Sequence, residues 1–194
     1  SYSTGPALLA KHLDIEYVCH AYPGESNHSI ARKIIKFIDH ICNDDLVIIN
    51  WTYVSRWDFY NENASHVRRR WQSVSAGSED TVYKDFYLKH MQCEVADLWG
   101  TLQNILLISS LLDNKSINYK MTCIDNLLLQ NNHHDIDYID NAFNEVKDKI
   151  LWFENSGFYS WAVNNNLPLG PNGHPLSEAH QAAFEYIRDN HDFT

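Results

Sequence analysis

Short polar segments of the chain carry the residues whose types could do chemistry. They lie at residues 1–5, 23–28, 51–56 and 171–177. A serine hydroxyl becomes an effective nucleophile only when a base within hydrogen-bond reach takes its proton, and histidine is the usual base. Ser1 in the first segment and His174 in the last are therefore the candidate pair for nucleophilic catalysis. His174 lies between Gly173 and Pro175 in a predicted loop, which favours a functional histidine over a packed one.

Negative charge that develops in such a reaction needs hydrogen-bond donors, and the two middle segments supply candidates. The backbone N–H of Gly24, at the start of a predicted helix, is suited to donate to an oxyanion. Thr52 and Asn27 are further candidate donors, and Arg56 is a candidate for substrate binding. Loss of one oxyanion donor typically lowers the rate by about 100- to 1000-fold.

Each of these residues also has a purely structural interpretation. Ser1 could cap a helix or belong to a loose terminus, and Gly24 could be a turn glycine that needs a positive φ. Asn27 could be the N-cap of the helix that it opens. Arg56 could pair with a nearby carboxylate such as Asp58. The residue types alone leave both interpretations open.

The elements that must position these segments alternate between strands and helices. Residues 15–22 and 45–54 are rich in β-branched and aromatic residues and predict strands, the second buried on both faces. Apolar residues recur at helical spacing from Ile30 to Ile41 between them, which makes a βαβ unit. A polar insertion after the second strand contains Trp57 and Trp71, which could belong to the core or line a carbohydrate groove.

The alternation continues to the end of the chain. A helix is predicted from Val95 to Leu106, a strand at residues 117–124, and further helices from Ile139 to Ile150 and from Ala179 to Ile187, the last with Ser177 as its N-cap. This order predicts an α/β fold with helices on both faces of a parallel sheet. In such folds ligands bind at the carboxyl ends of the strands, which is where the polar segments fall.

Composition limits the possible functions. The 194 residues fit one domain, and 44% hydrophobic with 21% charged residues is globular composition. A formal net charge of -10 disfavours nucleic acid and anionic membranes as partners. We find neither a signal-peptide pattern nor an apolar run of membrane-spanning length, so the chain as given is expected to be soluble. The cysteines lack metal-ligand spacing and are expected to be buried free thiols, without a metal site.

The order of these segments resembles the SGNH, or GDSL-like, hydrolases, and is similar to a divergent branch of that family found in marine bacteria and their phages. The resemblance covers the whole chain. It implies a flavodoxin-like, three-layer α/β/α sandwich with Ser1 as nucleophile, His174 as base and Gly24 as an oxyanion donor. The motifs that carry it are Ser1-Tyr2-Ser3, Gly24 with Ser26-Asn27, Trp51-Thr52 with Arg56, and Gly173-His174-Pro175 before a closing helix.

The chain departs from the family's pattern in two places. The family's third block usually reads Gly-x-Asn-Asp, whereas this chain has Asn50-Trp51-Thr52, so the oxyanion role would fall to Thr52 or Asn27. The aspartate that orients the histidine is also absent, and Asn172 stands nearest to its place. The family's first strand would precede residue 1, so residues 1–194 would form a single SGNH-like domain that lacks this strand.

The resemblance implies a serine esterase that removes an acyl group from a small or carbohydrate-linked ester through an acyl-enzyme, without a cofactor. One alternative is a catalytically degraded domain that serves as a structural or binding module, for instance with protein partners in a phage particle. Another is an N-terminal-nucleophile hydrolase in which the α-amino group of Ser1 is the base. The expected location is the cytoplasm or a virion.

Overall fold

The computed structural model describes residues 4–65, 70–78, 82–130, 133, 135–171 and 173–191. The helices are α1 Gly5–Leu13, α2 Asn27–Phe37, α3 Val82–Phe86, α4 Glu94–Asn114, α5 Asp137–Val146, α6 Phe158–Asn164 and α7 Ser177–Asn190. Short 3-10 turns follow at Ile38–His40 and Lys147–Lys149, and a π-helical turn at Tyr87–Met91. The strands are β1 Leu46–Trp51, β2 Trp57–Tyr60, β3 Trp71–Val74, β4 Asn118–Cys123 and β5 Ile150–Leu151.

A parallel sheet in the order β1-β4-β5 organises the fold. β1 and β4 are paired along their whole length, from Leu46 opposite Asn118 to Trp51 opposite Cys123. The predicted strands at residues 45–54 and 117–124 are therefore confirmed, as is the α/β class with a parallel sheet. β5 was not predicted. Ile150 was assigned to the helix that starts near Ile139, but that helix ends at Val146, and a strand of two residues is too short to show a pattern.

The two faces of the sheet are covered by different helices. Ile49 and Trp51 of β1 and Met121 of β4 join one core cluster with residues of α2, α4 and α5. The alternate residues Ile48 and Asn50 face α1 and α7, as the period of two in a strand requires. An apolar cavity of about 90 Å³ lies on that side, and none of the described site candidates lines it.

The prediction of a strand at residues 15–22 is wrong. This segment is not in a strand and is exposed along its length, with Val18 63% and Tyr22 72% accessible. Strand propensity alone does not form a sheet, because the backbone groups of a strand need a neighbouring strand. β1 is an edge strand whose only partner in the described part of the chain is β4. The segment is instead attached to α2, where Lys33 Nζ donates to the His20 carbonyl at 2.7 Å.

The polar insertion after β1 forms an antiparallel hairpin of β2 and β3. Trp57 packs into an aromatic cluster, parallel to the Tyr87 ring at 6.0 Å between ring centres. One face of Trp71 is covered by the Arg32 guanidinium, 3.8 Å from the ring centre. Trp57 thus packs against a small buried cluster, whereas Trp71 remains 47% exposed and does not belong to the core.

α4 is long and apolar enough to cross a membrane by length and composition alone, although no such segment was predicted from the sequence. It packs against α2 and α5, and Leu102, Ile105, Ile108 and Leu112 have no exposed surface. This is the packing of a core helix in a globular protein.

Two local predictions need correction. Leu176 rather than Ser177 occupies the N-cap position of α7, and the Ser177 hydroxyl donates to the Glu178 carboxylate at 3.0 Å. The cysteines are free, but only Cys123 is buried, because the other three lie outside the buried strands and helix faces. The exposed cysteines are Cys19, Cys42 and Cys93.

Candidate functional site at the carboxyl edge of the sheet

The turn before α2 contains the first group of predicted residues. Gly24 has φ +82°, and a Cβ built there would meet nothing within 4 Å, so the backbone conformation alone favours glycine. Ser26 is the N-cap of α2, because its hydroxyl accepts the Ser29 N–H at 3.0 Å. The suggestion that Asn27 is this cap is therefore wrong. The Gly24 N–H donates to no residue that the structure describes.

Asn27 fastens the start of α2 to the end of β1. Its side-chain Oδ1 accepts the Thr52 N–H at 2.7 Å, and its Nδ2 donates to the Thr52 carbonyl at 3.1 Å. The same Nδ2 donates to Thr101 Oγ1 of α4 at 3.0 Å. Asn27 is only 4% exposed, so these bonds are made away from solvent. The Thr52 N–H and both amide hydrogens of Asn27 are thus already engaged, whereas an oxyanion donor must be available.

A buried carboxylate in β2 also fixes the turn before α2. Asp58, whose side chain is 4% exposed, accepts hydrogen bonds from Ser29 Oγ at 2.9 Å and from Arg32 Nη2 at 2.8 Å. It also accepts from Ser73 Oγ, which in turn accepts the Ser26 N–H at 3.2 Å. The β2–β3 hairpin therefore fixes the position of the N-terminus of α2 through this network.

Arg56 does not pair with Asp58, contrary to the structural interpretation of the sequence. Its Nη1 donates to the Glu25 carbonyl at 2.7 Å, which adds a further restraint on the turn before α2. Its guanidinium carbon lies 5.4 Å from the centre of the Tyr53 ring. Burial lowers the pKa of Arg56. The remaining N–H groups of the guanidinium are donors at the edge of the sheet.

Asp125 follows β4 at the same edge and was not recognised from the sequence. Its Oδ1 accepts the Leu127 N–H at 3.1 Å, and burial raises the pKa of its carboxyl group. Gly157 packs so closely on it that a Cβ there would overlap the Asp125 backbone. Its place directly after a correctly predicted strand was the available signal, since the carboxyl ends of parallel strands collect ligand-binding groups.

Tyr53 and Tyr159 lie beside Asp125. Burial raises the pKa of Tyr53, and the nearby charge of Asp125 and the Tyr159 phenol raise it further, while Arg56 lowers it. The Tyr159 N–H donates to the Ile124 carbonyl at 2.7 Å, which places the first turn of α6 at the end of β4. The Ile124 N–H in turn donates to the Trp51 carbonyl at 2.9 Å, so the segments that carry Tyr53, Asp125 and Tyr159 meet at this edge.

The loop that carries His174 lies next to Tyr159. Gly173 has φ +74°, and a Cβ built on it would be 3.9 Å from the Tyr159 hydroxyl. The loop is closed by backbone hydrogen bonds, from Gly170 N–H to the His174 carbonyl at 2.8 Å and from Gly173 N–H to the Gly170 carbonyl at 2.9 Å. His174 itself is exposed, and its ring has no hydrogen-bond partner within the described part of the chain.

Two predicted site residues, Ser1 and Asn172, lie outside the described residues. Close to the described start of the chain, the Gly5 N–H donates to His180 Nδ1 at 3.4 Å. Burial lowers the pKa of His180, which favours the neutral ring that can accept this bond. Because α7 begins directly after the His174 loop, this contact brings the start of α1 to the same end of α7.

The described residues contain no group of three or more His, Cys, Asp or Glu side chains that could hold a metal ion. The carboxyl edge instead presents a histidine, a carboxylate, a guanidinium and phenols, which suit proton transfer and hydrogen bonding. The fold and site define an α/β protein with a polar site at the carboxyl edge of a parallel sheet. Comparisons with models of protein families, with curated proteins and with solved structures find no match.

Proposed function

We propose that this protein is a serine esterase of the SGNH type, with a flavodoxin-like, three-layer α/β/α fold. It would hydrolyse a small or carbohydrate-linked ester through an acyl-enzyme, with Ser1 as nucleophile and His174 as general base. Two features support the family arrangement. One is the parallel β1–β4 pair, and the other is that β1 is an edge strand in the described part of the chain, so that one more strand could pair with it.

The hydrogen bond between Gly5 and His180 is the observation that carries the proposal. Ser1 stands four residues before Gly5 in the sequence, and His174 stands six before His180. A nucleophile and its base must come within hydrogen-bond reach although they are at opposite ends of the chain. The packing of α1 on α7 brings the described start of the chain to the helix that follows His174, which supports this pairing.

The reaction has two steps. Ser1 Oγ attacks the ester carbonyl while His174 takes its proton, and His174 then gives that proton to the departing alcohol. Water then attacks the acyl-serine while His174 takes a proton from the water. His174 returns this proton to Ser1 Oγ as the carboxylic acid leaves. The Gly24 N–H is the oxyanion donor that the structural hydrogen bonds leave available. With Asn172 in place of an aspartate, the imidazolium is stabilised less, so turnover is expected to be slow.

The alternative of a binding or structural module is favoured by one specific observation. The Thr52 N–H and the Asn27 amide are both occupied by the bonds that join α2 to β1, and the chain lacks the family's usual oxyanion asparagine. An enzyme of this type would then rely on few donors. Protein partners of such a module would bind without any ester being cleaved.

Turnover of a short-chain aryl acetate separates the two functions. We expect slow hydrolysis by the purified chain, abolished by Ser1→Ala and by His174→Ala. Matched controls are Ser110→Ala and His40→Ala, which alter an exposed serine and an exposed histidine outside the site. Absence of turnover in protein free of contaminating esterase would favour the module. Turnover that survives both site substitutions would place the chemistry elsewhere.

A further inference from the structure

Four side chains at the carboxyl edge have no part in the proposed reaction. Tyr53 and Arg56 follow β1, Asp125 follows β4, and Tyr159 is in the first turn of α6. The Tyr159–Ile124 backbone hydrogen bond and the contact of Gly157 with Asp125 hold α6 against the end of β4. The Ile124 N–H donates to the Trp51 carbonyl at 2.9 Å, which holds that end beside the end of β1, so three segments meet at one place. Such convergence of separate segments is typical of a binding site in an α/β fold.

Asp125 and Arg56 do not form an ion pair with each other. Asp125 accepts one hydrogen bond, from the Leu127 N–H, and pairs with no cation among the described residues. Arg56 donates one of its five N–H groups, to the Glu25 carbonyl. A carboxylate acceptor and a guanidinium donor therefore remain available at the same edge.

These two opposite charges discriminate among ligands. An anion would be repelled by Asp125, and a cation would be repelled by Arg56. A neutral group whose hydroxyls both donate and accept hydrogen bonds is complementary to both side chains at once. The rings of Tyr53 and Tyr159 add apolar surface suited to the C–H groups of a sugar, and their phenols add further hydrogen-bonding groups.

We propose that Asp125, Arg56, Tyr53 and Tyr159 form a subsite for a neutral sugar ring beside His174. The closeness of the Tyr159 hydroxyl to Gly173, which precedes His174, places this subsite next to the proposed catalytic base. As a substrate site, this subsite depends on the proposed esterase function, in which the acyl group of a bound sugar ester would face His174. Sugar binding itself does not require turnover.

The test compares two esters and one ligand without an ester. The esters are an aryl acetate, which has no sugar, and an acetylated methyl glucoside, and the ligand is the methyl glucoside itself, detected by saturation-transfer NMR. For Asp125→Asn, which keeps the side-chain shape, we expect the kcat/KM of the sugar ester relative to the aryl ester to fall at least tenfold. The saturation-transfer signal of the glucoside should be lost, and Tyr159→Phe should reduce both in the same direction.

Asp148→Asn is the matched control, because Asp148 is exposed and precedes β5, at the opposite edge of the sheet from Asp125. It should change neither ester hydrolysis nor glucoside binding. If the protein hydrolyses neither ester but binds the glucoside through Asp125, the esterase proposal fails and the subsite stands. An unchanged ester ratio in Asp125→Asn, or no saturation transfer from the unaltered protein, would overturn the subsite.

Discussion

The two glycine turns at the carboxyl edge are built in opposite ways. Both contain a glycine with positive φ, Gly24 in one and Gly173 in the other. The residues after Gly24 are tied down by buried side chains, with Ser26 fully buried and Asn27 bonded to two other elements. The loop around His174 is closed by its own backbone, and its histidine is exposed.

The two turns therefore differ in what they leave exposed: the first joins elements of the fold, and the second presents a side chain that can react. Near Gly24 the polar groups of Ser26 and Asn27 are occupied in joining α2, β1 and the β2–β3 hairpin, so they are not available to a substrate. In the loop around Gly173, the His174 side chain is exposed and makes no hydrogen bond to the described residues. The comparison predicts that substitutions near Gly24 act mainly on stability, whereas substitution of His174 acts mainly on activity.

The largest effect on stability is expected for Asp58→Ala. It removes a buried acceptor of three hydrogen bonds and leaves Arg32 without its ion partner. Breaking a buried pair in this way costs about 3–5 kcal/mol. Urea denaturation measures the loss, and Asp39→Ala is the control, since its ion pair with Lys115 is exposed and should contribute less than about 1 kcal/mol. Equal losses for the two variants would show that the network does not hold the turn.

Asn27→Ala should be the next most destabilising change. It leaves the backbone N–H and carbonyl of Thr52 and the Thr101 hydroxyl without a partner, at a cost of about 2–3 kcal/mol. Asn141→Ala, on the exposed side of α5, should change the free energy of unfolding very little. A loss below about 0.5 kcal/mol for Asn27→Ala would mean that the amide is not needed for the fold and is free to serve a ligand.

The two turn glycines should respond alike, although their surroundings differ. Gly24→Ala and Gly173→Ala each force an alanine into the left-handed region, which costs about 1–2 kcal/mol. Gly100→Ala, in the middle of α4, should instead raise stability by about 0.5–1 kcal/mol, because no atom lies near its Cβ position and alanine favours helix. Thermal denaturation of the three variants checks the signs. A stabilised Gly173→Ala would show that this loop does not keep its positive φ.

The smallest expected effect concerns pH and His180. Burial holds the pKa of His180 below that of a free histidine, which is about 6.5. As the pH falls through that value, this histidine therefore binds more protons in the unfolded chain than in the folded one. Stability contributed by the neutral ring is therefore present above that pH and is lost below it. His180→Phe should flatten this part of the stability-against-pH curve, measured by urea denaturation at several pH values. If His180→Phe leaves the slope of stability against pH unchanged, His180 is not the group responsible for it.

Features with a local cause in the sequence could be predicted, whereas features that depend on distant contacts could not. The strands at residues 45–54 and 117–124 could be predicted because burial on both faces leaves a continuous apolar run. Residues 15–22 have equally strong strand composition, but pairing depends on a neighbour, which composition does not reveal. The turn of Gly24 could be predicted from a glycine at a helix start.

Contacts between distant parts of the chain could not be predicted from the sequence. Arg32 and Asp58 are paired across the fold, and nothing in their spacing indicates it. Asp125 could have been found, because it follows a strand that was predicted, but its burial and its neighbours Tyr53 and Tyr159 depend on tertiary packing. The roles of Ser1 and Asn172 stay predictions.

Labelling with a fluorophosphonate probe, which reacts with activated serines, tests the central claim most directly. The chain should gain the mass of one adduct, and peptide mapping should place it on Ser1. Ser1→Ala should gain none, and His174→Ala should be labelled at least tenfold more slowly, because no base then takes the serine proton. No adduct on the unaltered chain, an adduct on another residue, or labelling of Ser1 that is unaffected by His174→Ala would contradict the account.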